Sequence, residues 1–449
     1  MNRVRYFFAD LGYWLKTHPL MAVLAVLGLA AVVVASIFAI NELTENEPDR
    51  AVGPAPQVVV RTEEPPDDPA DLGFPAFATA NTTRVAGADS VAIAAGVALA
   101  TSPAGPGVPG PDAVSLVDAS DWASAIAAGS LAAEPVSAPV LLSDGEVISE
   151  LTAGALEALS PKGSEATGNR QVFAIGAVPE PDGVRSRRIP GDDEAEIAAR
   201  IAGLRRDLTG TDPTHLVIAS SEEPEHAMPA AAWAARSGDP VLFTGADSVP
   251  DATIDLIGEL PQVPIYLLGS ADVISAEAMK EIEKATKAPV ERATRGDDPV
   301  DSAIDFARYV DGSFGWDIND PGHGFVIASS TRPSDAGAAA ALSATGTYGP
   351  LLLTDDSRDL PVSLEAYLLD LKPGYVDDPT RAVYNHAWII GDATTISVNA
   401  QVTIDELVAL APIRPGQGET LLDLPSDSAG QGAAPNPGSR GNKKARDRR

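Results

Sequence analysis

Short, unbroken apolar runs punctuate this chain. HLVIAS (215–220), PVLFTG (240–245) and PIYLLG (264–269) are continuous, not alternating, in their hydrophobicity. That pattern predicts parallel strands covered on both faces. Helical patterns lie between them. In 193–208 the apolar residues Ile197, Ile201, Leu204 and Leu208 fall at i, i+4, i+7 and i+11, one face of a helix. Asp193 with Glu196 makes a D-x-x-E capping arrangement. Asp298 before Pro299 is a second helix start, and Ser275 caps the helical run 276–287. Alternating elements of this kind imply βαβ units with right-handed crossovers and open parallel sheets. The predicted fold class is α/β, built of Rossmann-like or flavodoxin-like modules.

The same order of pieces occurs three times. SLVDAS (115–120), HLVIAS and GFVIAS (324–329) correspond, as do PVLLSD (139–144), PVLFTG and PLLLTD (350–355). VFAIG (172–176), IYLLG (265–269) and AWIIG (387–391) correspond as well. Arg84, Arg188 and Arg292 open the three copies and are spaced 104 residues apart. A fixed period this long is a domain-sized repeat. It predicts repeats over 79–187, 188–291 and 292–413. Each repeat has an Ala- and Gly-rich helix after its second strand pattern: 124–133, 230–238 and 336–346. Such small-sided helices suit tight packing, either within each repeat or of the three repeats against one another.

The flanks read differently. Residues 1–19 carry Arg3, Arg5 and Lys16, and 20–40 has no charged residue. That length is enough for a transmembrane helix across a hydrocarbon core of about 30 Å. Glu42, Glu45, Glu47 and Asp49 follow. Basic residues stay inside, so the N-terminus is expected in the cytoplasm and the rest outside. A cleaved signal peptide is the rival reading. Residues 41–78, rich in Pro, Asp and Glu, read as a disordered acidic linker. Residues 414–449 read as a disordered tail, basic at its end.

Composition narrows the chemistry. The net charge is −31, which argues against nucleic acid as a partner. Cysteine is absent, excluding disulfides, thiol catalysis and Cys-ligated zinc. The five histidines stand at no ligand spacing, so no metal and no cofactor is expected. Gly105 to Gly110 matches G-x-G-x-x-G in letters, but it precedes a strand and holds two prolines, so it is a loop. Asp317-Ile318-Asn319-Asp320 lacks the glycine and distal glutamate of a calcium loop. No G-x-S-x-G, H-E-x-x-H or P-loop is present, and the chain is not expected to be an enzyme.

Candidate ligand groups are therefore placed by fold class, at the carboxyl ends of the strands. Ser120, Ser220, Ser221, Ser329 and Ser330 stand at one strand end; Asp144, Thr244, Asp247, Thr354 and Asp355 stand at the next. They are suited to sugar hydroxyls and equally to helix capping. Arg84, Arg188 and Arg292 are suited to anions, or to pairing with a carboxylate of their own repeat.

Taken as an ordered set, Arg-x-x-Gly-Ala-Asp (84–89), the strand ending in Ala-Ser, the Ala-rich helix, Pro-Val-Leu-Leu and the strand ending in Gly resemble the cell-wall-binding repeat 2 family. The resemblance covers roughly 79–410. It implies three Rossmann-like modules that hold surface proteins non-covalently to the wall of Gram-positive bacteria, with cell-wall polysaccharide or anionic polymer as the ligand class. An envelope scaffold that binds another protein through the same modules is the alternative. The family's Asn-Phe-Pro-Asp-Ala is not kept: 121–125 reads DWASA, 225–227 reads EHA, and only Pro333-Ser334-Asp335-Ala336 retains the aspartate.

Overall fold

The structure, a computed structural model, describes residues 77–413 apart from 106, 146 and 347. The stretch 1–19, the apolar segment 20–40, most of the linker 41–78 and the tail 414–449 lie outside the described residues. Among the described residues no helix is long and apolar enough to cross a membrane.

The chain alternates strand and helix. β1 (Phe77–Ala78) and β2 (Thr82–Val85) lead into α1 (Ser90–Thr101). Then come β3 (Val114–Asp118), α2 (Trp122–Ala132), β4 (Val140–Ser143), α3 (Glu150–Leu159), β5 (Val172–Ile175) and β6 (Ser186–Ile189). The next set is α4 (Glu194–Thr209), β7 (Leu216–Ser220), α5 (Pro224–Ser237), β8 (Val241–Thr244), α6 (Asp251–Glu259), β9 (Ile265–Leu268), α7 (Ala276–Ala285) and β10 (Val290–Arg292). The last comprises α8 (Pro299–Arg308), β11 (Gly324–Ser329), α9 (Ser334–Ala339), β12 (Leu351–Thr354), α10 (Val362–Asp370), β13 (Gly374–Tyr375), β14 (His386–Ile390), α11 (Val398–Val408) and β15 (Ala411–Pro412).

The local signals act as their chemistry requires. The apolar runs β4, β7, β8, β9, β11 and β12 are buried at every residue. Asp193 accepts from the Glu196 N–H at 2.8 Å, and the Glu196 carboxylate accepts from the Asp192 N–H at 2.8 Å. Asp298 accepts from the N–H groups of Val300 and Asp301 ahead of Pro299, and Ser275 accepts from the Ala278 N–H. Each bond satisfies a donor that the first helical turn leaves open.

Three parallel sheets result, ordered β4-β3-β5-β6, β8-β7-β9-β10 and β12-β11-β14-β2. β1 adds to the outside of β2 antiparallel, and β13 pairs separately with β15. The shared 2-1-3-4 order is the flavodoxin-like one, which reverses direction between its first and third strands.

The sheets are out of phase with the sequence repeat. Arg188 lies in β6 and Arg292 in β10, so each repeat-opening arginine hydrogen-bonds into the sheet made by the residues before it. Arg84 lies in β2, which pairs with β14 at the far end of the described chain and closes the set into a ring. The helix after each such strand crosses to the next sheet: α1 packs on β4 and α3, α4 on β8 and α6, α8 on β12 and α10.

The Ala-rich helices occupy the centre of that ring. α2, α5 and α9 pack on one another. Every residue of α2 after Trp122 is buried, and so are residues 226–235 of α5. A Cβ on Gly337 would lie 2.5 Å from the main chain of Ala125, and one on Gly129 would lie 3.0 Å from the Ala231 carbonyl oxygen. Of the two readings left open for the small-sided helices, packing between repeats is realised, and only glycine fits where the backbones touch. Each helix also leans on the next sheet: α2 on α4 and β8, α5 on α8 and β12, α9 on α1 and β4. The Arg205 guanidinium adds bonds from α4 to the Ala133 and Glu134 carbonyls after α2.

Candidate functional site

The third strand of each sheet ends in a glycine at positive φ: Gly176 at 72°, Gly269 at 131° and Gly391 at 105°. The chain turns sharply there and leaves carbonyl groups facing the neighbouring fourth strand. The repeat arginine sits on that strand in one fixed register. Arg188 lies opposite Ala174, Arg292 opposite Leu267 and Arg84 opposite Ile389, each two residues before the glycine.

All three guanidinium groups reach the turn. Arg84 Nη1 donates to the carbonyls of Gly391 (2.8 Å) and Asp392 (2.9 Å), Nη2 to Ser397 (3.4 Å) and Nε to Gln401 Oε1 (2.8 Å). Arg292 Nη1 donates to the carbonyls of Gly269 and, at 2.8 Å, Ser270; its Nη2 donates to Ile274 at 2.7 Å. Arg188 donates to the Gly176 carbonyl (3.2 Å) and pairs with Glu180 (3.1 Å). Burial pushes the Arg84 guanidinium down to about 10, opposed by the charge of Asp392, and it stays cationic at neutral pH. Burial lowers Arg292 too, helped by Arg295. Arg84 and Arg292 are thus turned to main-chain carbonyls, with no carboxylate of their own repeat hydrogen-bonded to either among the described residues. The reason is geometric: the turn presents bare acceptors where the side chain must go.

The hydroxyl groups are divided between inside and outside. Ser220 Oγ accepts from the N–H groups of Glu222 and Glu223, and so shapes the turn that leads into α5. Thr244 donates to the Gly245 and Ser248 carbonyls and Thr354 to that of Asp356; both are fully buried. Ser329 bonds Thr331 Oγ1. Ser120 is exposed and bonds Asp118, while Ser221 and Ser330 are half-buried and donate their main-chain N–H to Thr244 and Thr354. Ser120, Ser221 and Ser330 therefore stay at least partly exposed at their strand ends, one in each sheet, with Ser221 Oγ also donating to the Thr244 carbonyl at 3.3 Å. The structure does not bring them together into one site.

The crevice between the first and third strands differs from sheet to sheet. In the third it is bridged: Arg332, after β11, donates to Thr395 Oγ1 after β14 at 3.0 Å. Arg332 also pairs with Asp335 at 2.9 Å, and Asp335 accepts from Ser90 Oγ of α1 at 2.6 Å. Burial raises the Asp335 carboxyl, opposed by the Ser90 bond and the Arg332 charge. This network ties the third sheet to the first helix. The corresponding positions carry Ser124 and His226; both are buried, and neither Ser124 Oγ nor His226 Nδ1 has a hydrogen-bond partner among the described residues. Burial lowers His226, against the nearby charges of Glu225, Glu223, Asp298 and Asp297. Arg332 escaped the sequence reading; its signal was the Arg-x-x-Asp spacing to the one repeat aspartate that survives. No group of three or more His, Asp or Glu able to hold a metal occurs among the described residues.

Comparison with known proteins places this arrangement. Residues 188–279 match the family model of cell wall binding domain 2. The fold is similar to that of Cwp6 from Clostridium difficile, at TM-score 0.55 and 19% identity over 73% of this chain and 48% of that one. It is similar as well to Cwp8 from Clostridium difficile, at TM-score 0.54 and 20% identity over 74% of this chain and 52% of that one. The chain thus spans about half the length of the solved proteins it matches. No curated protein matches it.

Proposed function

We propose that this chain binds a cell-wall glycopolymer non-covalently, using the carboxyl ends of its three sheets, and that it does so on the outer side of the membrane. The match of 188–279 to a wall-binding family carries the reading. The fold supplies the means. Three equivalent strand ends, with Ser120, Ser221 and Ser330 at least partly exposed, recur around one ring and offer a long polymer repeated hydrogen-bonding contacts. Several weak contacts on one chain raise overall affinity without any single deep site. The apolar segment 20–40 and the acidic linker 41–78 are proposed as anchor and spacer.

The charge of −31 sets the conditions. An anionic polymer is repelled at long range, and repulsion is screened beyond a Debye length of about 8–10 Å. With Arg84, Arg292 and Arg332 engaged internally, short-range cationic contact falls to Arg188, which keeps 39% of its side chain exposed. Added monovalent salt should strengthen weak binding, and chelator should do little. Recovery of binding by calcium after its loss in chelator would replace this account with cation bridging.

The test is co-sedimentation. Protein lacking residues 1–65 is mixed with purified sacculi, with and without their anionic polymers. Pelleting with polymer-bearing sacculi is expected. Failure to pellet with either preparation removes the reading and leaves a protein partner in the envelope as its successor. The anchor is tested separately: protease added to intact cells should digest the sheets, and protected sheets would overturn it.

A further inference from the structure

One connection in the third repeat is longer than folding requires. α4 reaches β7 through 210–215, whereas α8 reaches β11 through 309–323. The extra residues fold over the second sheet. Asp311 and Phe314 exchange main-chain hydrogen bonds at 2.8 and 3.0 Å, closing a tight turn with Gly312 at φ 60°. Phe314 is fully buried and stacks on Tyr266 of β9, ring centroids 3.7 Å apart and planes 4° from parallel. Tyr266 in turn donates its hydroxyl to Asp311 at 2.9 Å. The turn is therefore pinned at both ends, and it holds Ser313 at its exposed tip.

Ser313 Oγ lies 3.1 Å from Nε2 of His215. On the other side of the ring, His215 Nδ1 lies 2.9 Å from Asp239 Oδ2. His215 is 6% exposed and Asp239 1%. Asp239 is held in turn: its Oδ1 accepts from the His215 main-chain N–H at 3.0 Å, and its Oδ2 accepts from Trp233 Nε1 at 3.0 Å. A carboxylate fixed in this way accepts a hydrogen bond from Nδ1–H and leaves the Nε2 lone pair facing the serine hydroxyl. Beside it opens a cleft of about 540 Å³ lined by Trp233, Arg236, Trp316 and Tyr348 as well as Ser313 and His215. The Trp316 indole N–H is buried and has no hydrogen-bond partner among the described residues.

We propose that Ser313, His215 and Asp239 form a nucleophilic relay that hydrolyses a carboxylic ester of a hydroxylated ring, such as an O-acylated sugar, seated in this cleft. Nucleophile, base and orienting carboxylate stand in the order and at the distances acyl transfer needs. Serine Oγ adds to the acyl carbon as its proton passes to His215 Nε2. The ester C–O bond then breaks, and the departing alcohol takes that proton. Water adds to the acyl-serine while His215 accepts a proton from it. The acyl–Oγ bond breaks, the carboxylic acid leaves and Ser313 regains its hydrogen from His215. The indole and phenol groups that line the cleft suit the apolar face of a sugar ring. This departs from the expectation of a chain without catalysis. The serine comes from the third repeat and its partners from the second, so no short motif announces them.

The test needs no wall material. The protein lacking residues 1–65 is treated with a fluorophosphonate probe and mapped by peptide mass, and its hydrolysis of p-nitrophenyl acetate is followed. An adduct on Ser313 is expected, and Ser313→Ala should lose the adduct and about 100-fold or more of the hydrolysis. Ser313 is exposed, so this variant is expected to fold, as its melting curve will check. Asp239→Asn, which keeps the shape, should slow hydrolysis while the serine remains in place. No adduct on Ser313, or hydrolysis unchanged in Ser313→Ala, overturns the proposal. Sedimentation of Ser313→Ala with sacculi should match the parent, so this result is independent of the wall-binding one.

Discussion

The first and third sheets set the same arginine in the same register and bury it to different depths. β6 is the outer strand of its sheet, and Arg188 keeps 39% of its side chain exposed. β2 is covered by β1 on its free edge and by α11 on its face, and Arg84 is 4% exposed. Glu180 compensates Arg188, whereas Arg84 relies on main-chain carbonyls and the neutral amide of Gln401. That amide is itself placed by a bond to Thr82 at 2.9 Å. The repeat specifies where the guanidinium points; the neighbours decide how much of the fold depends on it. Where a strand is borrowed from the far end of the chain, the dependence is greatest.

The sharpest way to break the comparison is to remove the borrowed strand. Deleting 77–85 strips β14 of its partner on one side, leaving only β11, and leaves Gln401 and Asp405 without theirs. The third sheet should lose more than about 4 kcal/mol, read as collapse of hydrogen-exchange protection over 386–390 while 172–175 stays protected. Next come the arginines singly. In urea titrations Arg84→Ala should cost about 3–4 kcal/mol, because it strands buried acceptors. Arg292→Ala should cost about 2 kcal/mol. Arg188→Ala should stay under about 1 kcal/mol, as exposed pairs do. Equal losses would show that burial does not set the scale. The central helices give a reference common to both sheets: Gly337→Ala drives a methyl into the Ala125 main chain and should cost about 2 kcal/mol, whereas Gly203→Ala inside α4, where nothing stands within 4 Å, should gain about 0.5–1 kcal/mol.

The smallest effect is a pH dependence. Burial lowers His226 and His386, the latter against the charge of Asp405. A histidine whose folded pKa is depressed takes its proton first in the unfolded chain. Stability should therefore fall as pH drops below about 6.5. Residues 77–189 contain no histidine. Exchange at 386–390 should quicken between pH 7.5 and 5.5 while exchange at 172–175 does not follow, and His226→Gln should flatten part of the slope. Equal acceleration in both sheets would contradict the assignment.

The apolar runs and the helix starts were legible because each is a local signal. HLVIAS, PVLFTG and PLLLTD need only their own composition to read as covered strands. Asp193, Ser275 and Asp298 need only the next turn. The fourth strands were not legible: SRRI (186–189) is short, half-exposed and basic, and its place depends on a hydrogen-bond ladder with a strand already counted as the end of a module. The internal bonds of Arg84 and Arg292 were not legible for a related reason. An arginine facing an anion and one facing bare carbonyls look alike in a sequence. The strand-end serines were located at the right ends, but which of them face outward depends on caps and burial. His215 was legible only as a lone residue, because its partners stand 24 and 98 positions away.

The borrowed strand also sets a timetable. Residues 82–85 are translated about 300 positions before the 387–390 they pair with. At about 5–20 residues per second the wait is roughly 15–60 seconds. During it the first two sheets gain all their strands, while β2 has only β1 beside it. Thr82-Thr83-Arg84-Val85 is suited to that interval: four residues, two of them hydroxylated and one charged, make a poor template for pairing with other chains. The same arginine that later lies buried under α11 keeps the waiting strand in water.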